Sequence, residues 1–417
     1  MGKLLIKNIK TLYGAYEEVP PLLKGQEMKK VPALANAWLA CEEGRVADFG
    51  LMEDFPGITN WKDLEVIDCS GKTVFPCFAD SHTHIVFAAN REQEFVDRLH
   101  GLSYEQIFLR GGGILNSALR LREYSEEQLF EEAVPRLKEI ILQGTGSVEI
   151  KSGYGLDVES ELKMLRVIKR LKELNWIPVK ATFLGAHAVP PEFKNKREAY
   201  VDHIIAVMLP RVAEEGLADY IDVFCEKNYF TAEETASILE AGQKYGLKGK
   251  VHAEQMSHSG GIQAGINGRA VSVDHLEFCS DDDIQALLKS ETIPTILPGA
   301  AFFLDLPRPP ARKMLDAGLP LAFASDYNPG SCPTGNMSLM LSMACLQYKL
   351  TPEEAFNAVT INGAAAMELG DSVGSLSPGR LANFCVSSRA ESPASFAYAY
   401  GSHLIEEVYL SGQKFKP

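Results

Sequence analysis

Along the chain, hydrophobic positions gather into short runs, and the residues that end those runs are chemically unusual. The clearest case is Val74-Phe75-Pro76-Cys77-Phe78-Ala79, which leads straight into Asp80-Ser81-His82-Thr83-His84. Side chains two apart on a strand share a face, so His82 and His84 point the same way from a strand end. From there apolar runs alternate with longer amphipathic stretches, the pattern of βα units around a parallel sheet. After the strand ending at His84, the pattern predicts strands over Ser147–Ile150, Val179–Leu184, Tyr220–Glu226, Lys250–Gln255, Ala270–His275, Ile293–Pro298 and Leu319–Asp326. Ser125 to Leu142 is predicted helical, with Ser125 and Gln128 as a capping box and Leu129, Val134, Leu137, Ile140 and Ile141 as an apolar stripe. Helices over Val158–Leu174 and Thr231–Tyr245 follow, the second closed by Gly246. Eight such units predict an α/β fold, a (β/α)8 TIM barrel whose site lies at the C-terminal strand ends. One more helix, Thr351 to Leu369, has Pro352 at its first position.

The two ends of the chain read differently. Residues 1–75 carry short strands at Leu4-Leu5-Ile6, Ala37–Cys41, Arg45–Phe49 and Glu65–Asp68, with Glu43-Gly44 as a hairpin turn. The Pro-containing, charged segment from about 13 to 33 is expected as a loop on that small sheet. Residues 372–417 return to strands at Leu381–Val386 and Glu407–Leu410. The economical arrangement is one small β-sandwich-like domain built from 1–75 and 372–417, beside a barrel over 76–371.

Length and composition fit this partition. At 417 residues the chain accommodates a barrel of about 250 residues and an appended domain. The net charge of −14 argues against nucleic acid or an anionic membrane as partner, and no apolar run is long enough to span a bilayer. The amino-terminal residues lack the apolar core of a secretion signal. The eight cysteines are scattered without a CxxC, which predicts reduced thiols and a cytoplasmic location.

Polar groups at the predicted strand ends carry the chemistry: His82, His84, Tyr154, His187, Glu226, His252, Gln255, His275 and Asp326. Five of the nine histidines fall at these ends, and strand ends of a barrel converge on its mouth. His100, His203, His258 and His403 belong to no such constellation. Three imidazoles and a carboxylate suit one divalent metal ion, Zn2+ or Fe2+/Fe3+, with a position left for water. The expected ligands are His82, His84, His252 and Asp326. Such a site lowers the pKa of bound water toward about 7. Asp326 is then placed to accept the water proton, and His275 to orient the water or stabilise an oxyanion. Gly111-Gly112-Gly113 lacks the lysine and spacing of a phosphate loop and reads as a lid or tight turn.

The His-x-His pair, the later histidines and the final aspartate resemble the amidohydrolase superfamily, and within it the imidazolonepropionase family. The matching stretches include Asn90-Arg91-Glu92, Glu149-Ile150-Lys151-Ser152-Gly153-Tyr154-Gly155, Thr182–Ala188, His252-Ala253-Glu254-Gln255, Asp274-His275-Leu276-Glu277, Leu297–Ala300 and Ser325–Ser331. The resemblance implies hydrolysis of a cyclic amide C–N bond, turning 4-imidazolone-5-propanoate, a small anion, into N-formimidoyl-L-glutamate in histidine degradation. It also implies that Arg91 holds the propionate, that Tyr154 and His187 bind the ring and carboxylate and Gln255 the ring, and that Asn328, Gly330 and Ser331 contact substrate or product. A catalytic part for Gln255 beside Asp326 and His275, and a homodimer, are further implications. Metal-dependent deaminases are the nearest rival, but they carry Glu three residues after the strand-five histidine, where this chain has Gln255. A catalytically silent barrel is the rival of another class, with Leu339, Leu341, Met343 and Leu346 as a helix face for a partner.

Overall fold

The computed structural model describes residues 2–102, 106 and 112–416. Gly111 of the triple-glycine stretch lies outside them, while Gly113, at φ 83°, caps the helix Ile114–Glu123.

The chain begins in a sheet made by both termini. Strands β1 (Lys3–Tyr13), β2 (Ala33–Glu42), β3 (Arg45–Leu51), β4 (Leu64–Asp68) and β5 (Thr73–Pro76) come from the first part of the chain. The last part adds β14 (Phe384–Ser387), β15 (Glu407–Leu410) and β16 (Gln413–Lys414). Their order is β16-β15-β14-β5-β1-β2-β3, with β4 also paired to β1. The eleven-residue β1 serves two parallel neighbours in succession, β4 along its first half and β5 near its end. Leu4, Ile6, Leu39, Val74, Phe384 and Val386 form the core of this unit.

The apolar run that opens the motif is divided at Cys77. Val74 and Phe75 belong to β5 and pair with Val386 and Cys385, whereas Phe78 starts the first barrel strand. The barrel strands are β6 (Phe78–Thr83), β7 (Thr145–Lys151), β8 (Val179–Ala186), β9 (Tyr220–Cys225), β10 (Lys248–Ala253), β11 (Ser272–His275), β12 (Ile293–Ile296) and β13 (Ala322–Phe323). They pair in parallel in chain order. A bridge between Thr83 and Tyr327, with Asp326 N–H donating to His82 O at 2.9 Å, draws the last strand end against the first. The predicted capping box at Ser125 and Gln128 is present, and Leu129, Leu137, Ile140 and Ile141 of that helix are buried.

Five expectations need correction. The segment 13–33 does not lie on the small sheet: Leu23 and Met28 join the barrel core, and Leu23 is bonded front and back to the buried Asn362 amide. Thr351–Leu369 is two helices, Pro352–Ala358 and Ile361–Ala365, because Thr360 at φ −123° and ψ −90° breaks the path in a β-branched run. The eighth strand is two residues long, and Pro298 starts a helix instead of ending the seventh. Leu341 and Met343 are buried in the core and do not form a partner-binding face; of that quartet only Leu346 is exposed.

Candidate metal-dependent active site

Three imidazoles meet at the barrel mouth. His82 comes from β6, His84 from just beyond it, and His252 from β10, and all three are buried. Their ligand atoms lie close enough together to hold one ion. His82 Nε2 is 3.3 Å from His84 Nε2, and Asp326 Oδ1 stands 3.6 and 3.5 Å from those two nitrogens.

The protons explain why this cluster needs a cation. His82 Nδ1–H donates to Asp274 Oδ2 at 2.6 Å, and His252 Nδ1–H donates to Asp222 Oδ1 at 3.1 Å. Each of these imidazoles therefore turns a bare Nε2 lone pair toward the mouth, and the His252 Nε2 has no partner. Two lone pairs and a carboxylate converging in a buried space repel one another unless a positive ion lies between them. Ligand bonds of about 2.0–2.1 Å at tetrahedral angles set donor atoms about 3.3 Å apart, close to the separations found here. The residues fit a divalent metal.

Beneath the ligands lies a buried layer of charge that the sequence reading missed. Lys151 Nζ donates to Glu149 Oε1 at 2.5 Å and to Asp222 Oδ2 at 2.8 Å, and lies 3.8 Å from Asp274 Oδ2. Lys250 pairs with the other oxygen of Glu149. Thr182 Oγ1 adds a hydrogen bond to Glu149 at 2.7 Å. Burial works against the ammonium of Lys151, yet Asp222, Glu149 and Asp274 hold its pKa above the usual value. Burial likewise opposes the charge on Asp222, and His252 and Lys151 overcome it, so its pKa lies below the ordinary carboxylate range. The two carboxylates that orient His82 and His252 are thus themselves held by an ammonium.

A cavity of about 340 Å³ opens above the cluster, lined by Arg91, Tyr154, His187, Gln255, His275, Asp326, Asn328, Gly330 and Ser331 among others. The structure brings together every residue singled out for the site except Glu226. That carboxylate instead accepts from the backbone N–H of Met256 and Lys227 and shapes the loop after β10. His187 Nδ1–H donates to Gly153 O at 2.9 Å, and its ring stacks on His84 at 5.6 Å. Burial first, then His252, pushes the His187 pKa down to about 3, which keeps the ring neutral. Arg91 Nε donates to Glu94 Oε2 at 2.9 Å at the cavity edge, so it has an acidic partner and also faces the site. Asn328 Nδ2 donates to Asp326 O and to Ser331 Oγ, and its Oδ1 accepts from the N–H of Gly330 and Ser331. Ser331 Oγ lies 3.1 Å from Asp326 Oδ2, so this loop braces the aspartate. Asp326 itself sits at φ 56°, in the left-handed region, as do Glu254 and His275 at the ends of two other strands. A second arginine, Arg98, also lines the cavity, its guanidinium 4.7 Å over the Phe303 ring. Nothing in the local sequence marks it. Glu254, beyond the end of β10 at φ 51°, turns away from the cavity and accepts from Gly260 and Ile262 N–H at 2.8 and 2.9 Å.

The amidohydrolase family model matches residues 73–413. The chain belongs to the amidohydrolase family. This amidohydrolase is 52% identical over 410 residues to an imidazolonepropionase of Christiangramia forsetii, covering 98% of the chain and 99% of that relative. It is 44% identical over 382 residues to an imidazolonepropionase of a Shewanella species, covering 91% and 93%. Among solved structures it resembles a guanine deaminase from C. acetobutylicum with bound guanine, at TM-score 0.72, 14% identity and coverage of 99% and 100%. It also resembles a triazine hydrolase variant, at TM-score 0.72, 16% identity and coverage of 99% and 94%. At those identities the structural matches speak for the fold alone. Among the described residues of this amidohydrolase, no helix is long and apolar enough to cross a membrane.

Proposed function

We infer that this amidohydrolase is an imidazolonepropionase, which adds water to 4-imidazolone-5-propanoate and opens the ring to N-formimidoyl-L-glutamate. The observation that carries this reading is the 52% identity to a curated imidazolonepropionase over nearly the whole of both chains. His82, His84, His252 and Asp326 would hold one divalent ion, zinc or iron. Its chemistry, when bound, is to polarise the ring carbonyl and make water acidic enough to act near neutral pH.

The chain's own residues account for the rest. The substrate carries a carboxylate, and the Arg91 guanidinium at the cavity edge can receive it in a charge-assisted pair. His187, with its Nδ1 proton committed to Gly153 O, offers Nε2 as an acceptor for a ring N–H. Tyr154 lines the same wall. Gln255 can both donate to and accept from the imidazolone, but it cannot deliver a proton to a ring nitrogen as an acid. That separates this site from the deaminase arrangement. Asp326 takes a proton from the attacking water and returns it to the leaving ring nitrogen, while the His275 ring donates to the developing oxyanion. Asn328, Gly330 and Ser331 shape the loop that would touch substrate or product. The eight free thiols support a cytoplasmic setting, and a homodimer is proposed from the family resemblance.

Turnover of freshly prepared imidazolone propionate, followed by the loss of its ultraviolet absorbance, tests the reading. His252→Ala should lose metal and activity together. Arg91→Ala should keep its metal and show weaker substrate saturation. A metal-loaded wild type that leaves this substrate untouched would overturn the substrate assignment.

A further inference from the structure

Two buried groups at the mouth face each other unpaired. His275 Nδ1 has no hydrogen-bonding partner among the described residues, and neither carboxyl oxygen of Glu277 has one. The Nδ1 lies 3.8 Å from Glu277 Oε1, with 2% and 0% of the two side chains exposed. Unmet buried polar atoms are costly, so three side by side are not an idle arrangement. The backbone brings them together at a further cost. His275 at φ 86° and Leu276 at φ 76° are both in the left-handed region, which non-glycine residues avoid. This turn ends the strand at His275 and sets Glu277 at the edge of the His275 ring. The opposite side of that ring is committed to the site, since His275 lines the cavity and lies 5.2 Å from His252.

We propose that Glu277 is a positioning residue whose neutral carboxyl donates its O–H to His275 Nδ1, fixing the ring as the tautomer that presents Nε2–H to the cavity. The proposal rests on the reading of His275 as the oxyanion donor. Its chemistry follows from what surrounds the carboxyl. Among the described residues no lysine or arginine is hydrogen-bonded to it, its own backbone N–H acts on it as a donor, and an ionised carboxylate buried without a cationic partner is strongly disfavoured. A neutral carboxyl has one proton to give, and the unmet acceptor beside it is Nδ1. Burial outweighs the hydrogen bond from Glu277's own backbone N–H and, with the nearby Glu226 acting in the same sense, raises the Glu277 pKa well above the usual value. A side-chain shift of about 1 Å brings the pair into hydrogen-bond range. With Nδ1 occupied as an acceptor, the only ring proton is on Nε2, which is where an oxyanion donor needs it.

The test compares wild type, His275→Ala, Glu277→Leu, Glu277→Gln and the His275→Ala/Glu277→Leu double variant, all metal-loaded, on imidazolone propionate. Glu277→Leu should lower kcat roughly 10- to 100-fold while KM and metal content hold. Glu277→Gln, whose amide N–H can also donate to Nδ1, should recover most of the loss. In the His275→Ala background, Glu277→Leu should cost nothing further. Ring 15N spectra of the wild type should show His275 Nδ1 without a proton and Nε2 with one, a readout that needs no variant to fold. A wild-type kcat in Glu277→Leu beside a crippled His275→Ala overturns the proposal alone, as does an equal loss from Glu277→Leu in the His275→Ala background. A protonated Nδ1 in the wild type also overturns it. Full activity in His275→Ala removes the reading of His275 and this proposal with it.

Discussion

Gly330 shows how one absent methyl group can set the substrate side of a cavity. A Cβ at this position would stand 2.1 Å from Arg91 Nη1 and 2.8 Å from its Cζ. The loop carrying Gly330 is braced by Asn328, so the guanidinium must give way. An arginine tip is flexible enough to do so without unfolding anything. Gly330→Ala should therefore raise KM for imidazolone propionate by on the order of 10-fold, the scale of one weakened charge-assisted contact, with kcat and metal content little changed. Steady-state kinetics on metal-assayed protein checks this, and an unchanged KM would take Arg91 out of carboxylate recognition. Arg91 was legible in the sequence through its motif. The steric part of Gly330 was not, because it depends on a residue brought close only by the fold. Glu277 escaped for the same reason: its approach to His275 Nδ1 depends on the left-handed turn at His275 and Leu276, which nothing in the local sequence announces.

At the scale of the strand, period and termini were readable and depth was not. Eight apolar runs with polar exits placed the barrel strands, and three of the exits supplied the ligand histidines and Asp326. The eighth run makes only a two-residue strand, and Asp326 at φ 56° lies beyond it, off the pleat. The charged layer one pleat below carried a signal of its own. Glu149, Lys151, Asp222, Lys250 and Asp274 interrupt strands that a parallel barrel would otherwise fill with aliphatic residues. Their pairing could not be read, since it is set by stagger between neighbours, and the β6–β7 and β8–β9 pairs both slip in register. Lys151→Met isolates the effect. It leaves Lys250 to face Glu149, Asp222 and Asp274, and breaking a buried pair in this way costs about 3–5 kcal/mol. Because Asp222 and Asp274 orient His252 and His82, metal affinity should also fall roughly 10- to 100-fold. Denaturant unfolding and competition with a chelator measure the two separately. Lower stability with unchanged metal affinity would confine Lys151 to holding the barrel together.

The whole molecule separates its two tasks between the two ends of the barrel. Metal ligands and cavity occupy the C-terminal strand ends, and the amino-terminal segment closes the other end. There the Asn362 amide accepts from Leu23 N–H at 3.0 Å and donates to Leu23 O at 3.0 Å and to Leu321 O at 2.9 Å. Asn357 does the same work nearby, donating to Met28 O at 2.8 Å and Lys30 O at 3.0 Å. These two buried amides tie a stretch that has little regular structure to the helices after the eighth strand. The sequence reading put that stretch on the small sheet because its prolines and charges resemble an exposed loop. Its two anchoring side chains, Leu23 and Met28, are too sparse to register as a pattern. Asn362→Ala strands one N–H and two carbonyls in a site that water reaches poorly, at about 1–3 kcal/mol for each unmet group before relaxation. A net loss of about 2–4 kcal/mol in unfolding free energy is expected. Leu321 immediately precedes β13, so a disturbance transmitted along that strand would reach Asp326 and appear as altered kcat or metal content. The braces on Asp326 from Ser331 and from the Thr83–Tyr327 closure lie beyond Leu321 on the cavity side and should absorb it. Asn362→Ala should accordingly melt earlier while keeping wild-type kcat, KM and metal content. Kinetics that decline together with stability would show that the two ends of the barrel are mechanically coupled through its shortest strand.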